Sequence, residues 1–102
     1  MAAETFQLTI LTPQGSEIKQ DADEVIIPGV GGYFGILARH APLIAAVDEG
    51  AMTVTASGNK RYLAVTGGVV EVSDNSVFVL ADIVEEADSV DAAKDKAAEL
   101  NA

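Results

Sequence analysis

Cysteine and tryptophan are absent from this 102-residue chain, histidine occurs once, and basic residues are scarce. Without cysteine there is no disulfide framework, thiolate metal centre or cysteine nucleophile, and a single histidine removes zinc sites built on several. Six Lys and Arg stand against sixteen Asp and Glu, a formal charge of -10. A chain this acidic repels phosphate backbones and gains nothing from counterion release, so nucleic acid is a poor partner. Anionic lipid is repelled as well, which leaves membrane association only through another protein. Long hydrophobic runs are also missing. The longest uncharged stretch, Val25 to Ala38, is interrupted by Pro28, Gly29, Gly31, Gly32 and Gly35, and falls short of the roughly 20 apolar residues that cross a bilayer as a helix. The opening MAAETFQLTILTPQG matches neither a secretory signal nor an Arg-rich transit peptide, which predicts a protein without an export or import signal.

What the chain does have is a series of short β-favouring runs with turn signals between them: Phe6 to Leu11, Glu17 to Ile27, Tyr33 to Leu37, Ala51 to Ala56, Arg61 to Thr66, Val69 to Val72 and Val77 to Ile83. Such spacing predicts a sandwich or barrel. Phe6, Leu8 and Ile10 alternate with Gln7 and Thr9, and Met52, Val54 and Ala56 with Thr53 and Thr55, so these strands are expected to have one apolar and one wet face. Val69 to Val72 and Val77 to Ala81 are nearly continuous apolar runs, as in strands covered on both faces or buried at an interface; two-sided burial is the preferred expectation. Ser57-Gly58-Asn59-Lys60 and Ser73-Asp74-Asn75-Ser76 supply residues that tolerate positive φ, which predicts two antiparallel hairpins. Thr66-Gly67-Gly68 predicts a bulge or close backbone approach where the chain changes sheet.

After Ile83 the composition turns acidic and alanine-rich. Asp88 or Ser89 is placed to cap a helix with Asp91 in its first turn, and Val90, Ala93, Ala97 and Leu100 form a narrow apolar seam. The expected organisation is a β-sandwich domain over residues 1–86 and a helical segment over 87–102, the latter marginal on its own.

No catalytic constellation is visible. The run Gly29-Val30-Gly31-Gly32-Tyr33-Phe34-Gly35 has Phe34 where a dinucleotide loop needs glycine, and it lacks the lysine and hydroxyl of a P-loop; its glycines are read as serving backbone turns. The serines all lie in turn or cap contexts, so His40 has no nucleophile in view, and a small hydrolase is disfavoured. The acids read as solvated surface without calcium-ligand spacing, so neither metal nor cofactor is expected. Arg39 and His40 beside a cluster of Tyr33, Phe34, Ile36 and Leu37 suit a protein interface better than an active site.

Four segments then stand out together: G-x-x-G-x-x-G-I-L-x-x-H-A-P-L-I from Gly29, Glu49-Gly50, the run from Tyr62 through Thr66-Gly67-Gly68 to Val72, and Val79-Leu80-Ala81-Asp82. In this order they resemble the epsilon subunit of the F-type ATP synthase, called delta in mitochondria. The resemblance implies a flattened, antiparallel ten-stranded β-sandwich followed by C-terminal helix. It implies a non-catalytic rotor subunit of the central stalk that links the gamma subunit to the c-ring and couples proton flow to ATP synthesis, held peripherally at the cytoplasmic face of a bacterial plasma membrane. Carried onto this chain, Gly31, Gly32, Tyr33, Phe34, Arg39 and His40 are expected at the c-ring interface, and Thr12, His40 and Ala45 at the gamma interface. The family often has an acid where Tyr33 stands, so aromatic packing or other acids are expected to make that contact. The sequence ends at Ala102 after one C-terminal helix where the family usually has two, which implies a subunit that does not inhibit ATP hydrolysis through its C-terminus, or else a naturally short or truncated form. The family's ATP motif survives only as Asp91 with Lys94 in place of arginine, so ATP binding is expected to be weak or absent. The alternative is a stand-alone β-sandwich binding module.

Overall fold

The computed structural model describes residues 4–101. Residues 1–3 and 102, the outer limits of the two expected segments, lie outside the described residues. Among the described residues ten strands precede one helix: β1 Phe6–Leu11, β2 Glu17–Ala22, β3 Glu24–Gly29, β4 Gly32–Leu37, β5 Leu43–Val47, β6 Gly50–Ala56, β7 Asn59–Val65, β8 Gly68–Ser73, β9 Ser76–Ala81, β10 Val84–Ala87 and α1 Val90–Leu100.

The strands form a continuous hydrogen-bonded sheet, β10-β7-β6-β3-β5-β8-β9-β1-β2 with β4 on the other side of β3, folded over into a β-sandwich. β3 makes the fold possible. Its first half pairs with β6 through Glu24, Val25 and Ile26, and its last residue, Gly29, pairs with Val47 of β5. One layer is therefore β4-β3-β6-β7-β10 and the other β5-β8-β9-β1-β2. Alternating side chains from both layers fill the core, among them Leu8, Ile10, Val25, Ile27, Ile36, Met52, Leu63, Val70 and Val79, all within 1 % of complete burial. The Asp23 amide, just before β3, extends the β3–β6 ladder by donating to the Thr55 carbonyl at 2.7 Å, and Arg61 Nη1 of β7 ties the two layers by donating to Gln20 Oε1 of β2 at 2.6 Å.

Both anticipated hairpins form. Ser57-Gly58 and Asp74-Asn75 take positive φ (51°, 81°, 49° and 58°), the primed-turn conformation that matches strand twist. The chain does cross between layers at Gly67-Gly68, leaving β7 beside β6 and entering β8 beside β5 and β9. Here glycine is required by contact: a Cβ on Gly68 would collide with the Leu80 carbonyl oxygen. Among the described residues, eight of the nine strand pairs are antiparallel, while β1 runs parallel to β9.

Some expectations need correction. The run Glu17 to Ile27 is two strands, because the chain bends at Asp23, whose carboxylate accepts from the Ser57 amide at 2.9 Å. β5 and β10 were not anticipated. Thr9 and Thr53, expected on wet faces, are 5 % and 7 % exposed. Thr9 is flanked across its strand pairs by Lys19 and Phe78, and Thr53 shares a side of β6 with Ala51, on which α1 lies.

Ser89 caps α1 as anticipated, its hydroxyl accepting from the Ala92 amide at 3.1 Å. The helix docks on its own sheet, with Ala93 and Ala97 buried against Ala51 and Ala64 and with Tyr62, Ala87 and Leu100 at the margin. Asn101 Nδ2 donates to Glu49 Oε1 at 2.6 Å, and Lys96 lies 3.6 Å from Glu85. Among the described residues, no helix is long and apolar enough to cross a membrane.

Candidate functional site

The glycine-rich run forms the β3–β4 hairpin at one end of the sandwich, with Val30 and Gly31 at its tip. Val30 is 65 % exposed, and its amide donates to the Ala46 carbonyl, which holds the tip against β5. Phe34 turns inward onto the core. Tyr33 faces the other way. Its hydroxyl accepts from the Ala51 amide at 3.1 Å, and Lys94 of α1 stands over its ring, 5.4 Å from the centroid. The turn before β6 lies alongside, since the Asp48 amide donates to the Pro28 carbonyl at 2.7 Å. Asp48 and Glu49 are both exposed there, so the hairpin end pairs an apolar tip with two carboxylates.

Arg39 and His40 are at the opposite end of β4, which spans about 16 Å from Gly32 to Leu37. Arg39 has φ 64°; its amide donates to Asn75 Oδ1 at 2.7 Å, and its guanidinium lies 3.2 Å from Glu4. The His40 ring meets the Ala41 carbonyl through Nδ1 at 2.7 Å. The six residues expected at one ring-facing surface thus fall in two groups that do not converge. A body touching both lies along β4, whose only strand partner among the described residues is β3.

The largest discrepancy with the sequence reading lies on the outer face of β5, β8 and β9. The apolar runs in β8 and β9 are buried on one face only, with Ile44 at 72 %, Val69 at 36 %, Phe78 at 43 % and Leu80 at 51 % exposure. Strand register sets these side chains in two cross-strand rows. Ile44, Glu71, Phe78 and Thr9 form one, and Ala46, Val69, Leu80 and Leu11 form the other. Four large side chains with about half their surface free, with Glu71 among them, amount to roughly a few hundred Å2, the size of the largest apolar patch on a typical monomer, which is often functional. Thr12 adjoins this face, because Leu80 also lines the groove containing Leu11, Thr12 and Pro13. Its own hydroxyl is turned to the Ser16 amide at 3.2 Å. Ala45 packs inward, and its neighbours Ile44 and Ala46 are the exposed residues of β5. The signal for this face was the unbroken apolar pattern itself, which is the same whether a strand is covered by its own chain or by another.

The family model for the β-sandwich domain of the ATP synthase delta/epsilon chain matches residues 5–87. The chain belongs to the ATP synthase delta/epsilon family. An ATP synthase epsilon chain from Desulfitobacterium hafniense (strain Y51) is 43 % identical over 93 % of this chain and 76 % of its own length. One from Rhodopseudomonas palustris (strain TIE-1) is 45 % identical over 85 % of this chain and 64 % of its own length. Among solved structures, a chain of the Euglena gracilis mitochondrial ATP synthase superposes with a TM-score of 0.75 at 24 % identity, covering 84 % of this chain and 55 % of that one. A chain of the Tetrahymena thermophila mitochondrial ATP synthase central stalk and c-ring gives 0.67 at 15 % identity, covering 97 % and 90 %. These two likenesses concern the fold. In this epsilon-family chain the positions of the ATP motif lie on the exposed side of α1, where Asp91 belongs to the first turn and the Lys94 ammonium is engaged with Tyr33.

Proposed function

We propose that the chain is a non-catalytic rotor subunit of the central stalk of a proton-translocating F-type ATP synthase. It joins the gamma subunit to the c-ring, so that ion-driven rotation of the ring reaches the catalytic head. The observation that carries this reading is the apolar outer face of β5, β8 and β9. An unpaired apolar face on an acidic chain suits a permanent neighbour, and favours a subunit over a stand-alone binding module. Gamma is assigned to that face, with Thr12 at its margin and Ala45 acting through the strand that presents Ile44 and Ala46. His40 and Arg39 would meet gamma or the ring along the edge of β4.

The ring is assigned to the hairpin end, where Val30, Gly31, Gly32 and Tyr33 are exposed and Phe34 holds the strand to the core. Asp48 and Glu49 stand where they can supply the negative charge that Tyr33 does not, so basic polar loops are the fitting counterpart. Membrane association runs through that contact, at the cytoplasmic face of a bacterial plasma membrane. ATP binding is weak or absent, since Lys94 offers no bidentate fork and faces Tyr33.

Amide hydrogen exchange with and without purified gamma tests the assignment. Protection is expected across β5, β8 and β9, with little change at the hairpin tip until the ring is added. Protection confined to α1 and β10, or no complex at micromolar concentrations, would overturn it.

A further inference from the structure

Tyr33 occupies a point where three elements meet. The ladder between β3 and β6 ends at Ile26 and Thr53, and continued antiparallel pairing would set Pro28 opposite Ala51. The Pro28 carbonyl is instead taken by the Asp48 amide. The Tyr33 hydroxyl fills the vacancy, accepting from the Ala51 amide at 3.1 Å. The space it enters exists because residue 50 is glycine: a Cβ there would be 2.6 Å from the Tyr33 oxygen. The methyl of the same Ala51 belongs to the small cluster with Ala64, Ala93 and Ala97 on which α1 rests. Lys94 then closes the circuit by standing over the Tyr33 ring from the helix, 5.4 Å from its centroid.

Every buried residue of the helix is an alanine, so little apolar area holds it and contacts at its rim weigh heavily in whether it is seated. We propose that Tyr33 is a positioning residue that links the seating of α1 to the shape of the β3–β4 hairpin. When the helix leaves, the ring loses its cation and Ala51 loses its cover, so the hydroxyl anchor weakens and the hairpin tip loosens. Linkage is reciprocal: whatever grips the hairpin and draws Tyr33 away favours release of the helix to the same extent. Only the identity of that gripping body, the ring, rests on the function proposed above. The coupling itself belongs to the chain alone.

Amide exchange on the full chain tests it without gamma or ring. Tyr33→Phe removes the hydroxyl and keeps the ring; Lys94→Gln removes the cation and keeps helix propensity. Each is expected to speed exchange of the protected amides at the C-terminal end of α1 by about two- to fivefold, the reach of a surface cation–π pair or one hydrogen bond. Lys94→Gln is also expected to speed exchange of the hairpin amides from Val30 to Phe34 by a similar factor. In a Tyr33→Leu background the Lys94 substitution should add nothing at either place. The proposal is overturned if Lys94→Gln leaves the hairpin unchanged, if Tyr33→Phe leaves the helix unchanged, or if the Lys94 effect persists in full without the aromatic ring.

Discussion

Ile44→Thr isolates the docking role of the apolar face from its structural role. The substitution keeps a β-branched side chain, so strand propensity changes little, and the hydroxyl faces solvent in the free chain. Complete burial of an Ile side chain is worth about 1.5–3 kcal/mol. Ile44 is 72 % exposed, so most of that gain is still available to a partner: about 1–2 kcal/mol, or roughly five- to thirtyfold in Kd. The minority already covered limits the cost to the free chain to about 0.5 kcal/mol, the usual range for exposed positions. Calorimetric titration with purified gamma reads the first quantity, and urea unfolding of the free chain reads the second. The expected pattern is a large loss of affinity with nearly unchanged stability. Leu80, 51 % exposed in the adjoining row, should behave alike on substitution by Thr. If the double variant binds gamma within twofold of the parent while keeping its circular dichroism, the face is not the docking surface and the argument fails.

Other outcomes follow from single contacts. Gly68→Ala should lower stability by more than about 2 kcal/mol, because the added Cβ meets backbone atoms of Leu80 and Ala81 that have no free rotor to yield. Gly31→Ala, with open space around it, should stay within about 0.5 kcal/mol, and paired thermal melts separate the two. The hydrogen bond from Arg61 lowers the Glu86 carboxyl below its ordinary value of 4.5, partial burial opposing and the guanidinium charge adding. The unfolded chain therefore takes up this proton first as pH falls. The stability from the pair is complete above about 4.5 and is lost as pH drops through the folded value. Because Glu86 is largely exposed, the amount is at most about 0.5 kcal/mol. The stability gap between parent and Glu86→Gln should narrow as pH falls below about 4.5 in matched urea melts, and a gap that widens there refutes the sign. Isothermal titration with ATP should show no micromolar binding, and a saturable signal in that range would contradict the reading of Lys94.

The readable parts of the fold were those specified locally. β1 has the bounds its alternation predicts, Ser89 caps where its spacing predicts, and the two hairpins turn where residues tolerant of positive φ are grouped. The Gly67-Gly68 layer change was legible because paired glycines in an apolar run need a backbone reason. β10 was hidden because Glu85 and Glu86 are poor strand formers; it is held from outside, by pairing with β7 and by Arg61. β5 was hidden among features typical of a loop, directly after Pro42 and with alanine at two of five positions. The candidate site was legible in composition but not in geometry. Gly31 and His40 are close in sequence, yet an extended strand between them carries them to opposite ends of the sandwich. The outward apolar rows need register, since Ile44, Val69, Phe78 and Leu80 become neighbours only through pairings between β5, β8 and β9.

The parallel pairing of β1 with β9 has a consequence for biosynthesis. Leu8 and Ile10 find their strand neighbours Val77 and Val79 only after the seven intervening strands from β2 to β8 have been synthesised. Until then the amino-terminal hairpin of β1 and β2 exposes oily side chains and an open edge, and loop closure of this length is slow. Newborn chains should thus depend on holdase chaperones in proportion to how long translation pauses before residue 80, and codons that slow that stretch should lower the yield of native subunit.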